Sequence, residues 1–190
     1  MRLGFLVNPI AGMGGRVGLK GTDGKVADAV ARGAEPRSPA RARRALTRLA
    51  DRDIDIDLVT AGEPMGAAEA RAAGFEPTIV FEPATGDTAA VTDAEPESTT
   101  TAGDTASSVA ALIDYGVDLV VFVGGDGTAV DVAERLADTG VPMLGVPAGV
   151  KVYSSVFAVS PEAAADIVAE FDRTEQREVM DIDEDDYRAG

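Results

Sequence analysis

Cysteine, histidine and tryptophan do not occur in this 190-residue chain. Without cysteine there are no disulfides and no thiolate metal sites, and without histidine as well zinc loses its usual ligands. A histidine-based triad or acid–base pair is excluded too. No apolar run approaches the roughly 20 residues that span a bilayer. The opening "MRLGFLVNP" breaks too early for a signal peptide, so the chain reads as cytoplasmic, with no membrane partner. Lysine is scarce: three (Lys20, Lys25, Lys151) stand against fourteen arginines, and 33 acidic residues bring the net charge to −16. That balance excludes a generic nucleic-acid partner, because phosphate backbones are neutralised by lysine and arginine. The acids are spread along the chain. A dispersed, lysine-poor acidic surface resembles that of proteins from salt-loving archaea, where salt screens the self-repulsion. The plainer alternative is an acidic protein with one acidic loop.

Apolar residues make up 45% of the chain, enough at this length for one sizeable core. "RLGFLVN" (2–8) is an apolar run stopped by Asn-Pro, which predicts a strand. "SPARARRALTRLADR" (38–52) opens with Ser38 as cap and Pro39 at the first helical position. Its Ala42, Ala45, Leu46 and Leu49 share one face, while Arg41, Arg44 and Arg48 form a basic face that reads as solvated or paired with nearby acids rather than phosphate-binding. "IDIDLVT" (54–60) and "PTIVFEP" (77–83) predict strands, separated by a small-residue helix over 65–74. Residues 83–104 are threonine, alanine, proline and acid without a period, which predicts a mobile acidic loop.

A helix around 104–115 leads to "DLVVFV" (118–123), whose unbroken apolar run suits a parallel strand covered on both faces. Val130, Ala133 and Leu136 mark the next helix, "PMLGVP" (142–147) a strand, and "SPEAAADIVAEF" (160–171) a helix opened by Ser160 and Pro161. Strand and helix alternate throughout, so the expected fold is a Rossmann-like, three-layer α/β domain with a parallel sheet. Ligands in such sheets bind at the carboxyl ends of strands. The glycine stretch 10–24, the "GGDGT" turn and the loop 147–155 all fall at that edge.

The glycines match neither familiar phosphate motif. "GLKGTDGKV" lacks the spacing and hydroxyl of a Walker loop, and "GMGGRV" places Val17 where the dinucleotide fingerprint needs glycine. In "GGDGT", Gly124, Gly125 and Gly127 permit positive φ and close backbone approach, so amides can face an anion, and Thr128 opens a helix whose positive end points the same way. Asp126 would repel a phosphate there unless it bound Mg²⁺ or took a proton from an attacking hydroxyl, which fits phosphoryl transfer. The competing reading is a tight strand-to-helix turn with Asp126 as its cap.

"NPIAGMGGRVGLKGTDG" (8–24), "VGGDGTAVDV" (123–132) and "GVPAGVKVYSSVFA" (145–158), in this order and spacing, resemble the three signature blocks of ATP-NAD kinases of the archaeal, AcoX-like branch. The resemblance implies the N-terminal domain of the NAD kinase and phosphofructokinase-like fold, over residues 1–175, with 176–190 opening a second, β-rich domain that the chain does not contain. It implies ATP-dependent phosphorylation of the 2′-hydroxyl of the adenosine ribose of NAD, with Mg²⁺, in a homo-oligomeric full-length enzyme. Asp126 matches the aspartate proposed to act on that hydroxyl, and Gly124, Gly125, Gly127 and Thr128 match the phosphate loop. Asn8, Gly12, Gly14 and Gly15 would form a second phosphate-facing loop. Lys151 either neutralises a donor phosphate or is a surface lysine, and Asp23 is a further polar contact or a turn residue. No metal ligands are assigned.

The sequence also departs from the better-known NAD kinases. Their Gly-x-Asn-x-Gly-x-Leu-Gly-Phe block is replaced by "GVPAGVKVYSS", and no Asn-Glu pair comes after "GGDGT". The alternatives are a related small-molecule or lipid kinase, or a nucleotide-binding module without catalysis. Lipid kinases typically carry Pro-x-Gly-Thr-x-Asn-Asp in the third block, which "PAGVKVYS" does not match. "DIDEDDY" (181–187) lacks the glycine and terminal glutamate of a calcium loop and reads as an acidic surface segment.

Overall fold

Five of the apolar runs form strands: β1 (Arg2–Val7), β2 (Asp57–Ala61), β3 (Thr78–Phe81), β4 (Leu119–Gly124) and β5 (Met143–Pro147). In the computed structural model, which describes residues 1–18, 26–83, 100–149 and 151–180, they make one sheet of order β3-β2-β1-β4-β5. Every neighbouring pair is parallel, with Leu3 opposite Leu119 and Val123 opposite Val146. Most of the acidic stretch 83–104, together with Asp23 and "DIDEDDY", lies outside the described residues.

The connecting helices are α1 (Met13–Arg16), α2 (Val26–Ala31), α3 (Ser38–Ala50), α4 (Ala67–Ala72), α5 (Ala102–Tyr115), α6 (Asp126–Leu136) and α7 (Pro161–Ala169). Side chains alternate across a strand, so each central strand feeds two cores. Leu3, Phe5 and Val7 of β1 and Leu119, Val121 and Val123 of β4 pack against α3 and α7. Leu6, Val120 and Phe122 turn the other way, onto α5 and α6. All six residues of β4 are buried, as an unbroken apolar run in a doubly covered sheet requires. This is the expected three-layer, Rossmann-like arrangement. A smaller cluster of Ile10, Met13, Val26, Ala29 and Ala34 holds α1 and α2, short helices that the glycine-rich sequence did not announce.

Three local expectations change. β2 begins at Asp57 rather than Ile54, because its ladder partner β1 begins at Arg2, opposite Asp57. Ser38 is not the cap of α3: the N-cap is Arg37, and the buried Ser38 hydroxyl donates to the Ala11 carbonyl at 3.5 Å. Ser160 does cap α7, accepting the Ala163 amide at 3.1 Å. α5 starts at Ala102 because Thr101 and Asp104 form a reciprocal capping box: the Thr101 side chain accepts the Asp104 amide at 3.2 Å and the Asp104 carboxylate accepts the Thr101 amide at 2.8 Å. That pair lies in a stretch whose composition alone reads as loop.

Candidate functional site

The sheet order reverses direction between β1 and β4. Chain leaving β1 travels to one side of the sheet, and chain leaving β4 travels to the other. A crevice opens at the carboxyl ends of such a pair. Asn8 comes directly after β1, and the "GGDGT" turn ends β4. The two are joined: the Asn8 side-chain amide donates to Thr128 Oγ1 at 3.0 Å, its Oδ1 accepts the Ile10 amide at 3.2 Å, and its own backbone N–H bonds Val123 O at 2.9 Å. Asn8 therefore clamps the first loop to the second. Beyond it, Gly12 has φ 77°, a left-handed conformation that glycine adopts without strain, and leads into α1, which carries Gly14 and Gly15.

Gly124, Gly125 and Gly127 do not use the positive φ that glycine permits; Gly125 has φ −113°. At Gly124 the requirement is room: a Cβ there would sit 2.5 Å from Thr128 Cβ. Thr128 is buried, so the turn folds tightly back on its own helix. α6 begins at Asp126 with Gly125 as N-cap, and no side chain caps it.

Asp126 is accordingly not the cap of its helix. Its carboxylate reaches across to the third loop. The Tyr153 amide is shared between Oδ1 and Oδ2 at 3.1 and 2.9 Å, and the Ser154 amide donates to Oδ1 at 2.8 Å. A carboxylate offers about four lone-pair positions, so Oδ2 keeps acceptor capacity for a hydroxyl or a cation. The same loop is tied at its start, where Ala148 N–H bonds Gly124 O at 2.8 Å. The half-exposed Asp126 carboxylate thus joins the second block to the third, while Asn8 at the start of the first block joins that block to the second through Thr128.

The third loop also grips the chain beyond α7. Ser154 Oγ donates to Met180 O at 3.0 Å and accepts Met180 N–H at 3.1 Å, while Ser155 N–H bonds Glu178 O at 3.0 Å. Residues 176–180 are neither helix nor strand and run beside the loop that holds Asp126. Lys151 is exposed, with its Nζ 4.4 Å from the centre of the Tyr153 ring, a cation–π distance.

Two contacts were not legible in the sequence. The amides of Tyr153 and Ser154 act through backbone, which no residue type advertises. Arg41 leaves the basic face of α3: Arg44 pairs with Glu162 at 2.8 Å and Arg48 with Asp166 at 3.0 Å, as the solvated or paired reading expects, but Arg41 Nε donates to the Pro147 carbonyl at the end of β5. Among the described residues no group of three or more acidic, cysteine or histidine side chains is placed to hold a metal ion, and no helix is long and apolar enough to cross a membrane.

A comparison with solved structures finds similarity to the calicheamicin glycosyltransferase CalG4, at 16% identity and a TM-score of 0.39, over 80% of this chain. The chain spans about a third of the length of that structure, 33%. No curated protein matches the chain at a significant level. The family model for the ATP-NAD kinase N-terminal domain matches residues 3–175, a span that contains all three glycine-rich blocks, Asp126 and the five strands except Arg2 of β1. The chain therefore belongs to the ATP-NAD kinase family, through its N-terminal domain.

Proposed function

We propose that this domain forms the nucleotide-binding half of an NAD kinase, which transfers the terminal phosphoryl group of ATP to the 2′-hydroxyl of the adenosine ribose of NAD. Family membership supports a kinase-like function with nucleotide substrates. The observation that carries the finer reading is the junction at Asp126: one carboxylate, held by two amides of the third block, in a glycine turn at the switch point of the sheet.

In this reading the ribose oxygen attacks the γ-phosphorus, a new O–P bond forms, and the bond from that phosphorus to the β–γ bridging oxygen breaks, releasing ADP. The hydroxyl proton passes to Asp126, whose Oδ2 retains a lone pair for it. Little covalent work falls to the protein in such a transfer, so positioning and charge stabilisation dominate. Gly124, Gly125, Gly127 and Thr128 line the phosphates on one side, and the loop from Asn8 through Gly12, Gly14 and Gly15 lies on the other. Lys151 would meet a phosphate only by leaving the Tyr153 ring.

The residues present suit a magnesium ion carried by the nucleotide. Magnesium keeps several waters and takes one or two carboxylates plus substrate phosphates, and Asp126 is the carboxylate that the glycine turn offers. Held there by Asp126, the ion would supply positive charge to stabilise the phosphoryl group in transfer. Homo-oligomeric assembly and a cytoplasmic location belong to the same proposal.

The test is direct. ATP, Mg²⁺ and NAD are incubated with the protein, alone and in its longest natural reading frame, and NADP is measured. NADP formation supports the reading. Phosphorylation of another alcohol with NAD left untouched overturns it in favour of a related small-molecule kinase.

A further inference from the structure

α3 carries a run of arginines, and the structure sorts them into two groups. Arg44, Arg48 and Arg52 point to α7 and find Glu162 and Asp166 there. Arg37 and Arg41 do not: among the described residues neither has a carboxylate within ion-pair distance. They sit at i and i+4 on one helix, where like charges repel and destabilise. Burial pushes the Arg41 guanidinium down from its ordinary range, and the positive charge of Arg44 and, less, that of Arg37 push the same way, while the Glu162 carboxylate pulls in the opposite direction. In a chain of net charge −16, two cations beside a crevice with no ion-pair partner among the described residues are a specific arrangement, not a surplus of base.

Both arginines face the third loop. Arg41 is fixed there by its Nε–H bond to the Pro147 carbonyl, and among the described residues the terminal nitrogens of the fork have no hydrogen-bond partner. Gly149 has φ 99°, and a Cβ at that position would lie 3.4 Å from Arg37 Cδ and 3.6 Å from Arg41 Nη1. Glycine thus allows the left-handed turn and keeps the space in front of the guanidinium open. That space belongs to a cleft of about 570 Å³ lined by Arg41, Pro147, Gly149 and Ser154. Ser154 is shared, since its amide bonds the Asp126 carboxylate at 2.8 Å.

We infer that Arg41, which lines this cleft, and Arg37, which stands beside it at Gly149, form a phosphate-binding site that takes the di- or triphosphate chain of a substrate next to the Asp126 junction. Guanidinium forks match phosphate oxygens in pairs, and the bound anion relieves the repulsion between the two arginines. Naming that chain as the phosphoryl donor's rests on the proposed reaction; the existence of the site does not.

The experiment separates the two. Inorganic tripolyphosphate and ATP are titrated calorimetrically into the protein and into its Arg37→Gln, Arg41→Gln and Arg43→Gln variants, with thermal melts to confirm folding. Arg37→Gln is the cleaner variant, because Arg37 is exposed and its side chain makes no hydrogen bond or ion pair among the described residues, its carbonyl alone accepting the Arg41 amide at 3.1 Å. Arg43→Gln removes the same charge from the exposed part of the helix. The expected result is a loss of about tenfold in tripolyphosphate affinity for Arg37→Gln and Arg41→Gln, as for one charged hydrogen bond, with little change for Arg43→Gln. Equal losses in all three variants, or no binding of tripolyphosphate to the parent, overturn the site. Binding of tripolyphosphate but not ATP supports the site for free polyphosphate. Arginine-dependent binding without NADP formation keeps the site and sinks the reaction; NADP formation with an unchanged KM for ATP in Arg37→Gln does the reverse.

Discussion

Asp126 has two jobs that one substitution can separate. As a proton acceptor it needs a carboxylate; as an anchor for Tyr153 and Ser154 it needs only acceptor oxygen. Asp126→Asn keeps an oxygen for those amides and loses the base, whereas Asp126→Ala loses both. Both variants are expected to lose on the order of 10²–10⁴-fold in turnover. Only the alanine variant is expected to speed hydrogen exchange at the Tyr153 and Ser154 amides. Turnover equal to the parent in either variant removes Asp126 from the chemistry. The acid and its glycines were legible in the sequence, because an apolar strand breaking into Gly-Gly-Asp-Gly is a rare local pattern. Their partners were not. Backbone amides carry no residue signature, and of the two freedoms that glycine gives such a turn, positive φ and close approach, the structure uses the close approach of Gly124 to Thr128.

Glu69 makes a second case at this scale. It is 8% exposed on α4, its Oε2 has no hydrogen-bond partner, and burial pushes its carboxyl up from the ordinary range. A raised folded value means that the folded state holds the proton more tightly than the unfolded chain. Stability through this group is then greatest below the unfolded value and falls as pH rises through the folded one. Glu69→Gln is expected to gain on the parent steadily as pH rises from about 4 towards 7, read as the difference in unfolding midpoint. A difference that stays flat with pH would contradict the burial argument.

Among elements, the two helical layers are held differently. α3 and α7 meet through small residues, Ala42 and Ala45 against Ala164 and Ala165, with the arginine–acid pairs at the rim. Those pairs are largely exposed and screened by solvent, so the apolar contact carries the packing. On the other face α5 inserts Leu112 deeply: it is fully buried, and a Cβ at Gly4 would meet its Cδ1 at 3.2 Å. Leu112→Ala is expected to cost about 2–5 kcal/mol in denaturant unfolding, with no change in the ratio of ATP to NAD affinity. A cost below about 1 kcal/mol would mean that the helix collapses freely onto Gly4. The strands and long helices were readable because their periods of two and 3.6 are written in apolar residues. α1 and α2 were not, since glycine and alanine carry little periodic signal, and the start of α5 was hidden in a stretch of threonine and acid.

For the whole molecule, a charge of −16 on 190 residues sets the response to salt. Screening weakens the few exposed arginine–acid pairs, but it relieves a larger repulsion among the unpaired acids. Raising potassium chloride from about 0.1 M to about 2 M is expected to raise Tm. A lower Tm in salt would mean that the pairs dominate, and would remove the likeness to proteins of salt-loving organisms. The family itself rests on the match across residues 3–175, not on charge.

The sequence by itself determined the parallel α/β layering, the positions of the strands, and the place of the acid in its glycine turn, because hydrophobic period and glycine spacing are local properties of the chain. Only the tertiary structure decided what Asp126 holds, which arginines remain without acids, and how Ser154 joins the third loop to residue 180. Those contacts join segments 26 to 28 residues apart or more, through backbone atoms and the direction of single side chains. No composition or period encodes such pairings; the order of the strands in the sheet does.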